Sequence, residues 1–283
     1  MELKALFYKL SKSLSKKSRH KIERINRSEN LKKREVLNGV LNHDLDAVVV
    51  EGFLSLNKCS QIVDARSGLS QELRNEIPFG TVYGKTLVGS GDSMEEYFTR
   101  ARQLNEQIVE VLEIDILKEL RSLLNIDVST AFQNGDPYTV GTIRSFFPQK
   151  GGLHAHAEAE FVHTLSEFNQ IKNWVDIETQ INYLLILQEP EEGGELVLYD
   201  LRWNQTPNEL KSNQGFYNHY ESREAIINKY SQEIIPLKTG DLILFNGINI
   251  WHAVKQITGK TDRITFAGFL AKEKEGSNYV VYN

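Results

Sequence analysis

The segment Gln180-Ile181-Asn182-Tyr183-Leu184-Leu185-Ile186-Leu187-Gln188-Glu189-Pro190-Glu191-Glu192-Gly193-Gly194-Glu195-Leu196-Val197-Leu198-Tyr199 holds a strand, a turn and a second strand. A short apolar run rich in branched side chains and closed by turn residues is the pattern of a buried β-strand. Gly193-Gly194 supplies the turn. The same texture continues on both sides, in runs near 138–147, 153–163, 179–187, 195–202, 233–237, 241–246, 250–257 and 262–271, with Gly240-Asp241 marking another turn. Eight short strands in succession predict a double-sheet jelly roll. The polar, partly helical stretch 204–231 interrupts them and carries Tyr217, His219, Tyr220 and Tyr230. An insertion of that length in a barrel is expected to form a lid or a partner surface.

Upstream of Asp136-Pro137 the pattern is helical. Ala47-Val48-Val49-Val50 predicts a buried strand ended by Gly52, and Ser55 caps a helix through Leu56, Cys59, Ile62 and Val63. Leu104, Ile108, Val111, Leu112, Ile116 and Leu117 form a stripe within 94–124, as expected of helices that support a sheet. The fold class is therefore α+β, mainly β, with supporting N-terminal helices. The organisation is a basic helical arm over 1–45 and one domain over 46–283 that includes the 204–231 insertion.

Charge divides the chain in the same way. Residues 1–34 hold twelve Lys/Arg against three acids, a net +9, whereas the whole chain of 283 residues carries −5 and the remainder therefore −14. Leu3, Leu6, Phe7, Leu10 and Leu14 give that arm an amphipathic spacing, which suits either a solvated helix or contact with an acidic partner. An acidic body argues against a nucleic-acid partner. No run reaches the length of a membrane span. The single cysteine, Cys59, excludes an internal disulfide framework and favours a reducing, cytoplasmic setting. Its apolar helical context predicts a buried thiol, not a nucleophile.

Chemistry concentrates around the histidines. Leu153-His154-Ala155-His156-Ala157-Glu158-Ala159-Glu160 alternates polar residues with alanines, and on a regular strand His154, His156, Glu158 and Glu160 would share a face. Imidazoles beside a carboxylate suit a divalent metal. A further histidine, His252, lies in Asn249-Ile250-Trp251-His252-Ala253-Val254. Arg263 follows, with Thr265 two residues on and on the same strand face. A guanidinium beside a hydroxyl is a clamp for a carboxylate, so the pair suggests a small dicarboxylate anchored near a metal.

In this order, His156-Ala157-Glu158, His252 and Arg263-Ile264-Thr265 resemble the iron(II)- and 2-oxoglutarate-dependent dioxygenases. Asp46 to Leu54 is similar to that family's entry strand, Gln180 to Tyr199 to its strand with acidic turn and Gly-Gly-Glu-Leu, and Gly240 to Phe245 to the turn before its distal histidine. The likeness spans 46–272 and is nearest the prolyl-4-hydroxylase-like group, which includes bacterial hydroxylases and halogenases of amino acids and natural products.

The resemblance implies a double-stranded β-helix (jelly-roll/cupin-like) core. It implies iron held by His156, Glu158 and His252, and 2-oxoglutarate held by Arg263 and Thr265, with O2 as co-reactant. Leu153 to His156 fits the family's lead-in to the proximal ligand, which makes His156 the ligand and leaves His154 beside it or facing substrate. Related halogenases carry Gly or Ala in place of the acid, so Glu158 implies hydroxylation.

A three-histidine cupin is the rival, using His154, His156, Glu160 and His252. It leaves Arg263 and Thr265 unexplained. A jelly-roll binding module without catalysis is a further alternative. Asn182 is open between a cosubstrate contact and a structural hydrogen bond. Arg144 is open between a substrate carboxylate and a structural ion pair. Tyr199, Trp203 and Trp251 are read as core aromatics, and His20 and His43 as solvated. The expected substrate is a small molecule, an amino acid or biosynthetic intermediate; a peptide or acidic carrier protein is the alternative that the basic arm and the 204–231 insertion motivate.

Overall fold

The computed structural model describes residues 20–28, 33–88, 90, 93–211 and 220–283. The chain begins with β1 (Ile22–Asn26), α1 (Lys33–Leu41), β2 (Ala47–Glu51) and α2 (Leu56–Ala65). The hairpin β3 (Arg74–Ile77) and β4 (Gly80–Tyr83) precedes α3 (Met94–Glu110) and α4 (Ile116–Leu124). β5 (Val128–Thr130) and a two-residue ladder, β6 (Phe132–Gln133) and β7 (Asp136–Pro137), lead to β8 (Thr142–Phe146), β9 (Leu153–His156) and α5 (Glu158–Thr164). The remainder is β10 (Val175–Gln188), β11 (Leu196–Arg202), α6 (Tyr220–Ile227), β12 (Gln232–Ile235), β13 (Leu242–Phe245), β14 (Ile250–Val254), β15 (Arg263–Glu273) and β16 (Tyr279–Tyr282).

Two sheets build a core that fits a jelly roll. The larger runs β1-β2-β13-β10-β15-β8-β4-β3, with β16 pairing β15 and β5; the smaller runs β12-β11-β14-β9. Strand periodicity sorts the side chains into layers. Ala47, Val49, Leu184, Ile186, Ile243 and Phe245 of the large sheet pack against Leu196, Leu198, Ile235 and Ile250 of the small one. Their neighbours Val48, Val50, Leu185, Leu187, Leu242 and Leu244 turn the other way, onto Leu37, Val40, Ile62, Leu104 and Leu120 of the helices. The outer face of the small sheet is covered by a third cluster that includes Val197, Leu201 and Trp251 with Ile227 of α6. No helix among the described residues is long and apolar enough to cross a membrane.

Seven of the eight expected β-runs are strands near their expected positions. The run at 153–163 differs: the strand ends at His156 and a helix begins at Glu158. Alanine has no preference for a strand and the highest for a helix, so an Ala/Glu alternation does not hold the chain extended. Ser55 caps α2, its Oγ accepting from the Lys58 N–H at 3.2 Å, and Cys59 is fully buried beneath it. The 94–124 stripe breaks into two helices, with Glu113 at φ 51° and Asp115 capping the second.

The packed body also starts earlier than Asp46. β1 runs parallel to β2, and Leu37 and Val40 of α1 lie in the helix-side core. His20 is not solvated: it bonds Asp46 at 3.1 Å, with its side chain 5% exposed. His43 is half-buried, and burial lowers its pKa. The amphipathic run Leu3–Leu14 and His219 lie outside the described residues, whereas the described part of the insertion places α6 against the outer face of the small sheet.

Candidate metal centre

β9 and β14 are neighbours in the small sheet, and their register sets His156 directly opposite His252. The two imidazole centroids lie 4.3 Å apart. Each ring bonds a carbonyl two residues back on its own strand, His156 Nδ1 to His154 O at 2.7 Å and His252 Nδ1 to Ile250 O at 2.8 Å. A carbonyl only accepts, so both Nδ1 atoms carry hydrogen, and both Nε2 atoms face Glu158. Sequence spacing pointed to the histidines; the backbone bonds that fix their tautomer become visible only in the fold.

Past His156 the chain stays extended for one residue, Ala157, then turns into α5. The turn is held by the loop before β14: the Glu158 N–H donates to Gly247 O at 3.1 Å and the Ala159 N–H to Ile248 O at 3.3 Å. Glu158 is thereby the first helical residue. Its Oε1 lies 3.7 Å from His156 Nε2 and 3.4 Å from His252 Nε2, and accepts a hydrogen bond from Asn182 Nδ2 at 2.6 Å. Its Oε2 is buried with no partner. Ligand atoms of His156, Glu158 and His252 all lie within 4.8 Å of one another, and all three residues are buried.

Burial alone would favour the neutral acid. The charge and hydrogen bonds of His252 and His156 outweigh it and hold the Glu158 carboxyl well below the usual range. Burial pushes His156 down, helped by repulsion from His252. In His252 burial is overcome by Glu158, which raises its pKa. Two ring Nε2 atoms facing a carboxylate whose second oxygen is buried without a partner form a donor set that fits a divalent metal. Two histidines with one carboxylate are the ligands of non-haem iron(II) enzymes.

The rival ligand set does not assemble. α5 advances about 100° per residue, so Glu160 emerges nearly opposite Glu158. Glu160 accepts a fork from Arg223 of α6, at 2.8 and 2.7 Å. His154 faces the same way, 3.4 Å from Glu224 Oε1, and lines neither cavity beside His156, Glu158 and His252.

A cavity of about 60 Å³ extends from the two histidines and Glu158 to Asn182, Arg263 and Thr265. Arg263 is 3% exposed, its Nη2 has no partner, and its guanidinium lies over the Phe146 ring at 5.9 Å. Burial, helped by the nearby Arg144, pushes its pKa down to about 10. A buried guanidinium with an unused donor is what an incoming carboxylate would satisfy. A second cavity of about 450 Å³ opens from His156 and Glu158 and is walled by Ile77, Phe79, Val82, Val88, Phe161 and Leu165.

Arg144, Phe146 and Asn283 line both cavities. Asn182 donates to Glu158 through Nδ2 and also lines the smaller cavity, its Oδ1 buried without a partner. Trp251 and Tyr199 belong to the core behind the small sheet, and Trp203 stacks with His163 at 6.1 Å. Gly247, Arg223 and Asn283 went unread in the sequence. Asn246-Gly247 signals only a turn, and the other two reach the site by long-range folding.

A family profile described as "Carrier-protein-independent halogenase WelO5" matches residues 22–282. The chain is 28% identical over 204 residues to "Leucinostatins biosynthesis cluster protein S" of Purpureocillium lilacinum, covering 68% of this chain and 79% of that protein. Its fold is similar to that of an N-substituted L-amino acid dioxygenase from Burkholderia ambifaria AMMD, with TM-score 0.60 and 16% identity over 88% of this chain and 91% of the other. It is also similar to the non-haem alpha-ketoglutarate-dependent carbocyclase SnoK from nogalamycin biosynthesis, with TM-score 0.53 and 9% identity over 90% and 97%.

Proposed function

The chain belongs to the carrier-protein-independent halogenase WelO5 family, and from that premise we propose that it is an iron(II)- and 2-oxoglutarate-dependent oxygenase that hydroxylates an unactivated C–H bond of a free small molecule. The observation that carries the choice of hydroxylation is Glu158, an ionised carboxylate 3.4 and 3.7 Å from the two ligand nitrogens. A halide would need the position this carboxylate fills.

His156 and His252 would hold iron through Nε2, and Glu158 through its carboxylate. Asn182 keeps Oε1 turned toward the two imidazoles. Arg263 and Thr265 would take the far carboxylate of 2-oxoglutarate. With O2, the bound iron and cosubstrate supply the oxidation: R–H, 2-oxoglutarate and O2 give R–OH, succinate and CO2. The apolar walls of the larger cavity exclude water and hold the substrate's C–H bond against the ligand cluster. A free small molecule is supported by the family's carrier-independent description and by the names of the similar proteins, an amino-acid dioxygenase and a carbocyclase of nogalamycin biosynthesis. Against that description, docking to an acidic carrier has the basic arm and the 204–231 insertion in its favour.

Anaerobic addition of iron(II) and 2-oxoglutarate should produce the weak visible charge-transfer band of the bound pair. A succinate-release screen over amino acids and natural-product intermediates should then find a substrate, with mass spectrometry showing a gain of one oxygen even in excess chloride or bromide. A halogenated product would overturn the choice of hydroxylation. Absence of the band, with iron shown to be bound, would overturn the oxygenase reading.

A further inference from the structure

We propose that the larger cavity takes a monoanionic substrate, a small molecule with one carboxylate and an apolar body, and that Arg144 binds the carboxylate. This rests on the iron(II)/2-oxoglutarate reading of the centre.

Three strands set the geometry. Thr265 of β15, Arg144 of β8 and Val82 of β4 are directly paired across the large sheet, and so share its inner face. Arg263, Phe146 and Gly80 form the adjacent row. Along the sheet the lining passes from buried guanidinium and hydroxyl at β15, through Arg144, to aliphatic side chains at β4 and β3. Arg144 stands at the boundary and lines both cavities, whereas Arg263 and Thr265 line only the small one. Its Nε donates to Thr142 Oγ1 at 3.2 Å, which fixes the stem of the side chain.

The larger cavity, at about 450 Å³, has the size of a small-molecule site. Of its described lining, Arg144 is the residue with a permanent positive charge. Glu167, also on the wall, lies at the exposed rim, bonded by Ser166 at 3.3 Å.

A substrate carboxylate would meet that one cationic side chain at the boundary between the two cavities. The apolar walls then select the rest of the molecule by burial, which contributes roughly 0.8 kcal/mol per CH2.

The test uses the full-length protein loaded anaerobically with iron(II) and 2-oxoglutarate, its visible band confirming that the parent reading holds. Octanoate, 4-phenylbutyrate and indole-3-propionate are titrated by calorimetry beside the primary amide of each. At least one acid should bind roughly 10–100-fold more tightly than its amide, the range expected for a charged hydrogen-bonded pair. Arg144→Met should abolish that preference and Arg144→Lys should keep part of it, with 2-oxoglutarate affinity little changed in both. Arg263→Met should do the reverse. Equal binding of acid and amide for every pair in the wild type overturns the proposal without recourse to any variant. Loss of 2-oxoglutarate affinity in Arg144→Met to the extent seen in Arg263→Met also overturns it, by assigning Arg144 to the cosubstrate.

Discussion

Asn182 holds the carboxylate of the candidate metal centre from a strand remote in sequence. It stands on β10, opposite Phe245, on the face that looks toward the small sheet. Its Nδ2 donates to Glu158 Oε1 at 2.6 Å, and Gly247 leaves room for it, since a Cβ at that glycine would come within 2.5 Å of Nδ2. Ligand-orienting hydrogen bonds of this kind are worth roughly 10–100-fold in metal affinity. Asn182→Ala should therefore weaken iron(II) binding by about that factor while the fold persists, measured by anaerobic iron titration. Unchanged affinity would show that the helix start alone holds Glu158. At this scale the sequence was informative where chemistry is dense: two imidazoles, an acid, an arginine and a threonine stood out by type and spacing, and the fold brings them to one cavity. It was silent on Gly247 and on Asn182's partner, because both depend on a contact between segments remote in sequence.

Elements decide what those residues face. α6 of the insertion contributes Arg223, which forks onto Glu160 of α5 and lies over the Trp251 ring at 5.4 Å. Glu160 follows Glu158 by two residues and Trp251 precedes His252 by one, so a single guanidinium touches both segments that carry the ligand cluster. The Arg223 and Glu160 side chains are each 11% exposed. Removing one partner of such a buried pair costs about 3–5 kcal/mol, whereas replacing both with neutral side chains is often close to neutral. Arg223→Met should lower the urea midpoint sharply, and Glu160→Gln/Arg223→Met should recover most of the loss; equal destabilisation by the single and double variants would deny the coupling.

A second staple joins β1, β2 and β11. Asp46 accepts from the Lys21 N–H at 3.1 Å, from His20 at 3.1 Å and from Arg202 at 2.6 Å. Burial raises its pKa, but the bonds from His20 and Arg202 prevail and hold it at about 2. A depressed folded-state pKa stabilises above the unfolded value of about 3.9, and the benefit disappears as pH falls through the folded one. Wild type minus Asp46→Asn should thus lose at most about 2 kcal/mol between roughly pH 4 and pH 2, less because the Arg202 side chain is 41% exposed. A pH-independent difference in urea midpoints would contradict this. Strand runs were legible because a period of two survives in the sequence. α5 was not, because Ala/Glu alternation has the spacing of a strand and the propensity of a helix. β1 and α1 were hidden by the positive charge around them.

The whole molecule is layered as helices, large sheet, small sheet and insertion helix, with the ligand cluster between the sheets. Family membership fits the layered plan, and Glu158 is the residue on which the proposed hydroxylation rests, against the halogenation in the family's name. Among the described residues, β9 occupies the outer edge of the small sheet and pairs with β14 alone. It is four residues long, and its last residue is His156. A short strand with one partner is the kind of segment that opens locally while the rest stays closed. Iron held by His156 and His252 would be a cross-strand rivet, binding the closed form alone and shifting that local equilibrium by mass action. In hydrogen–deuterium exchange, amides of β9 should exchange readily in the metal-free protein and slow on loading with iron(II) and 2-oxoglutarate, while the central β10 and β15 stay protected in both. The metal would then set the lifetime of its own binding strand, and depletion of iron would register first as amide exchange at β9, before any change in the global melting temperature.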